Sequence, residues 1–77
     1  MDINTYTQLK IKIEDEHRKI FDLLVAIDDL HAMAEASSSP VERQSLQTAI
    51  AACKESLQLH RFTLRTHESQ VKYFEGL

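Results

Sequence analysis

Turn-forming material is almost absent from this chain. Its 77 residues include one glycine, Gly76, and one proline, Pro40. That excludes glycine-rich phosphate loops and any fold of many short elements, and it favours a few long ones. There is a single cysteine, Cys53, so no internal disulfide can form, which suits a reducing compartment. Tryptophan is missing and aromatics make up only 6% of residues. No apolar run approaches the roughly 20 residues of a membrane span. The N-terminus lacks the positive-then-apolar pattern of a secretory signal. The expectation is a cytoplasmic protein that does not enter membranes. Nine basic residues are scattered among twelve acids, for a net charge of -3. A nucleic-acid surface needs a basic stripe, and none is present.

What the chain does have is hydrophobic residues, at 43%, and charge, at 27%, a balance that supports a packed core. Seventy-seven residues make one domain, near the lower limit for a self-sufficient core. Ile13, Ile20, Leu24, Ile27 and Ala34 recur at steps of three and four once His17 and His31 are counted in the same row. This is the seam of a helix packed against a neighbour. A second row follows at the same spacing: Leu46, Ile50, Cys53, Leu57, His60, Leu64, His67, Val71 and Phe74. All four histidines then fall on seams.

The spacing predicts a helix over residues 13–36, with Glu14, Asp15 and Glu16 in a first turn where acids favour the helix dipole. Ser37-Ser38-Ser39-Pro40 is the one turn-like cluster. Ser39 as N-cap, Pro40 at the first helical position and Glu42 at the third restart a helix that runs to about residue 75. Residues 1–12 have two readings. Thr5 and Gln8 could cap an early start to the first helix, whereas the alternation of Leu9, Ile11 and Ile13 suits an extended arm. The fold class is all-α, an antiparallel two-helix hairpin.

Folding the hairpin at Ser38–Ser39 sets His17 level with His60, Leu24 with Cys53 and His31 with Leu46. His67 then lies level with Lys10, roughly 10 Å from His60. Phe21, Leu23, Leu30 and Met33 widen the apolar face of the first helix beyond what one partner helix covers. A lone hairpin buries little, so two hairpins are expected to pair into a homodimeric four-helix bundle. Docking on a different protein is the alternative.

His17 and His60 are the leading candidate metal ligands, with Glu14 one turn before His17 and His67 as a further candidate. Imidazoles suit iron and zinc. The competing account is that seam histidines hydrogen-bond each other or water and so specify pairing. Cys53, between Ile50 and Leu57, reads as a small apolar seam residue. No nucleophile with an adjacent base can be named, so catalysis is not expected.

The run Ile13-Glu14-Asp15-Glu16-His17-Arg18-Lys19-Ile20-Phe21-Asp22-Leu23-Leu24 resembles the first helix of hemerythrins and their bacterial relatives. There the pattern is Ile-Asp-x-Gln-His, a basic pair, then an apolar-Phe-Asp step. The resemblance implies that His17 ligates one iron of a non-haem di-iron centre that binds dioxygen or senses oxygen and iron. Glu14 and Glu16 stand where the family has Asp and Gln. The family's second-helix histidine is followed four residues later by a bridging Glu. Leu64 follows His60 and Val71 follows His67 at that distance. The resemblance covers about a third of the chain.

Overall fold

The computed structural model describes residues 2–77. Two helices account for nearly all of them: α1, Ile3–Ala36, and α2, Pro40–Glu75, joined by three serines. No strand occurs among the described residues. The helices lie along one another in a rod of 57 × 14 × 14 Å, as the all-α hairpin reading requires.

Each boundary has a local cause. Asp2 caps α1, its carboxylate accepting from the Asn4 backbone N–H at 3.0 Å. The helix therefore starts near the chain's beginning, and the extended arm expected over residues 1–12 is not formed. Met1, at the head of that expected arm, lies outside the described residues. Within it, Leu9 and Ile13 are one helical turn apart and face α2, while Ile11 turns outward and is 53% exposed. A 3.5-residue period overrides the apparent alternation. At the other end of the loop, the Ser39 hydroxyl accepts from the Glu42 N–H at 3.3 Å, and Pro40 supplies the fixed φ of a first helical position. Ser37 braces the turn by accepting from the Ser39 N–H at 3.2 Å. At Gly76 the chain leaves α2, with the Gly76 N–H donating to the Lys72 carbonyl at 3.0 Å and the Leu77 N–H to the Phe74 carbonyl at 3.3 Å.

The α2 seam is the one expected, with every residue from Leu46 through Phe74 at that spacing buried or half-buried. On α1 the seam is different. Tyr6, Leu9, Ile13, Glu16, Ile20, Leu23, Ile27, Leu30 and Ala34 face α2, again in alternating steps of three and four. Ile13, Ile20, Ile27 and Ala34 belong to both rows. Between them the helix is turned by one residue, so Glu16, Leu23 and Leu30 replace His17, Leu24 and His31. Leu23 and Leu30 bury more apolar surface than a row containing two imidazoles would.

The core is thin. Leu9, Ala34, Ile50, Leu57 and Val71 are its buried apolar members, and Ile50 is the most enclosed at 2% exposure. Large apolar side chains remain outside, among them Phe21, Val25, Met33, Leu59, Phe62 and Tyr73.

Candidate functional site

A buried carboxylate is the feature of this hairpin that demands a chemical explanation. Glu16 lies in the α1 seam at 8% exposure, in a row otherwise made of apolar side chains and Tyr6. Burying an unpaired carboxylate is costly. The partner is on α2: His60 Nδ1 lies 2.6 Å from Glu16 Oε2. A carboxylate in its ionised form only accepts, and against it Nδ1 is the donor. Lys19 Nζ approaches the other oxygen, Oε1, at 3.9 Å. Charge assistance shortens and strengthens such a bond. The pair thus ties the two helices together near the middle of the rod.

Around it lies an exposed charged cluster on α1. Asp15 binds Arg18 at 2.6 Å and Lys19 at 3.0 Å. The Lys19 ammonium, followed by the Arg18 guanidinium, holds the Asp15 carboxyl below the ordinary carboxylate range. Asp15 in turn holds the Lys19 ammonium above its ordinary value. Both groups are open to solvent, so these bridges contribute little to stability.

The four residues proposed as metal ligands are not brought together within the hairpin. His60 is half-buried and engaged with Glu16. His17 is exposed, because Glu16 occupies the place opposite His60 that His17 was expected to fill. Glu14 is exposed on the same side of α1 as His17. His67 is half-buried in the α2 seam, with Nδ1 3.4 Å from Gln70 Oε1. His31 is exposed, so two of the four histidines, not all of them, sit on seams. Among the described residues, no group of three or more His, Cys, Asp and Glu side chains could hold a metal ion.

Cys53 is a free, half-buried thiol in the α2 seam, as expected. Shallow depressions occur on the outer surface, and one is lined by Ile11, Lys12, Glu14, Asp15 and Arg18 of α1 alone. Among the described residues, no helix is long and apolar enough to cross a membrane.

Glu16 is the buried polar residue that sequence reasoning missed. Its signal was present: counted at positions 9, 16, 23 and 30, the α1 row has one polar member, against three at positions 10, 17, 24 and 31. No family model matches this chain, and neither a curated protein nor a solved structure matches it.

Proposed function

We propose that this chain is a homodimeric interaction module, a helical hairpin that completes its core by pairing with a second copy into a four-helix bundle. The observation that supports this most is unburied surface. The hairpin exposes 5808 Å². A compact monomer of 8.9 kDa exposes about 4,800 Å². The surplus of about 1,000 Å² is close to the roughly 800 Å² that each partner loses in a standard interface. Its radius of gyration, 17.4 Å, also exceeds the roughly 11–12 Å of a compact chain this long. Phe21, 65% exposed on α1, is the side chain whose burial would most drive association.

In this reading the Glu16–His60 bond specifies register. It penalises any sliding of α1 along α2 by leaving a carboxylate stranded among apolar side chains. The test is the concentration dependence of thermal unfolding followed by circular dichroism. A pairing module melts at higher temperature as chain concentration rises. A melting temperature constant over a hundredfold range of concentration rules the module out.

One observation supports a second reading, a metal-binding dimer resembling hemerythrins. Histidine ligands commonly donate one ring N–H to a carboxylate, which orients the other nitrogen toward the metal. His60 stands in that relation to Glu16, with Nδ1 against the carboxylate and Nε2 left available. Three further ligands would have to come from the surrounding chains, with His17, Glu14 and His67 of the two copies as candidates, and iron or zinc as the ion. This dimer dissociates when chelator is added and regains its melting temperature with the metal. The pairing module ignores both.

A further inference from the structure

Beside the seam, α1 carries a second row at the same three-four spacing: Lys10, Glu14, His17, Phe21, Leu24, Asp28, His31 and Glu35. It lies about 100° around the helix from the seam. Every member is exposed, and Phe21 and Leu24 are 65% and 43% exposed. Among the described residues, five of the six ionisable members, Glu14, His17, Asp28, His31 and Glu35, take part in none of the ion pairs. Lys10 rests over the Tyr6 ring at 5.1 Å. It is a built row without a partner.

The order of charges along this row says which partner fits. In an antiparallel helix pair, layers form between positions whose numbers have a constant sum. With the two-fold axis between Phe21 and Leu24, Phe21 meets the partner's Leu24 and His17 meets the partner's Asp28. Glu14 then meets the partner's His31, and Lys10 meets the partner's Glu35. By symmetry each match occurs twice. Every layer is either apolar on apolar or an acid against a basic or imidazole group. The other arrangements lack this property. A parallel pair sets each residue against its own copy, so Lys10, Glu14, Asp28 and Glu35 all meet like charge. Sliding the antiparallel pair by one heptad sets Leu24 against Glu14 in one direction and against Asp28 in the other.

We infer that this row is a self-recognition surface: α1 of one copy packs antiparallel on α1 of a second copy, centred on Phe21 and Leu24. The inference rests on the homodimer reading above and names its contact. It places His17 and His31 against carboxylates of the second chain. Such rim charges contribute modestly to affinity and strongly to the choice of partner and orientation.

Two multiple variants of the full chain test it, neither touching the seam. One carries Lys10→Glu, His17→Glu and His31→Glu, making the row acidic. The other carries Glu14→Lys, Asp28→Lys and Glu35→Lys, making it basic. Native mass spectrometry of each alone, of their equimolar mixture and of the unmodified chain reads the species directly, at low salt. The expected result is a dimer for the unmodified chain and a heterodimer in the mixture. The heterodimer should be roughly 100-fold favoured over either variant's own dimer, from six reversed pairs of exposed charge. A dimeric unmodified chain whose variants mix at the statistical ratio overturns the contact but leaves the homodimer standing. So do variants that stay apart when mixed. A monomeric unmodified chain removes both.

Discussion

Replacing His60 with leucine while Glu16 remains would strand a carboxylate that is 8% exposed and has its 2.6 Å partner removed. Lys19, at 3.9 Å and half in solvent, is too distant to replace that bond. The loss should be about 1–3 kcal/mol, the cost of leaving a buried polar group unsatisfied. Glu16→Leu alone should cost less. His60 is the more exposed member of the pair, with 29% of its side-chain surface open against 10% for Glu16, so water can satisfy its ring. The new leucine would also complete the apolar row between Ile13 and Ile20. The double change, Glu16→Leu with His60→Leu, should recover most or all of the original stability, because a buried polar pair exchanged for matched apolar groups is often neutral or stabilising. Urea unfolding of the four proteins at one fixed chain concentration gives the cycle. A coupling of at least about 1 kcal/mol between the two positions is the expected result. Effects that add to within about 0.5 kcal/mol would show that the bond between α1 and α2 does not hold them in register.

Ile50→Ala, at the most enclosed position of the core, should cost about 2–4 kcal/mol in the same assay, and a loss under 1 kcal/mol would mean the seam is not packed there. Asp15 is held low by Lys19 and then Arg18, so its bridges are present above the ordinary value of 3.8 and disappear as pH falls through the lower folded value. Lys19 is held high, so its share persists below its ordinary value of 10.5 and is lost as pH rises through the folded one. Asp15→Asn should therefore produce only a small drop in helicity near neutral pH, absent in strong acid and in high salt. A large effect that survives salt would contradict the exposed placement of this cluster.

Much of the hairpin could be read from residue order, and the part that could not has a specific cause. The single proline and the serines before it marked the turn, and a fold at Ser38–Ser39 placed position 17 level with position 60, within one residue of the observed pairing of 16 with 60. The α2 row was unambiguous because Leu46, Ile50, Leu57, Leu64 and Val71 have no rival one residue away. On α1, Leu23 and Leu24 are adjacent, and Ile13, Ile20 and Ile27 serve either row. Which row faces inward depends on whether a glutamate or a histidine is buried at 16 or 17. Glutamate is rarely buried unless paired, which steers single-helix reasoning toward His17. Only the distant His60, 44 residues along, makes Glu16 acceptable inside. The start of α1 was obscured differently. Leu9, Ile11 and Ile13 alternate over too short a span to separate a strand from a helix, and Asp2 as cap decides it.

The proposed pairing of two copies follows from the thinness of the hairpin's own core. Sedimentation equilibrium of the purified chain at neutral pH, over a range of concentrations, measures this directly. A species of twice the 8.9 kDa chain mass, dissociating only on dilution, is the predicted result. A particle of single-chain mass at every concentration, with full helical content, would contradict it.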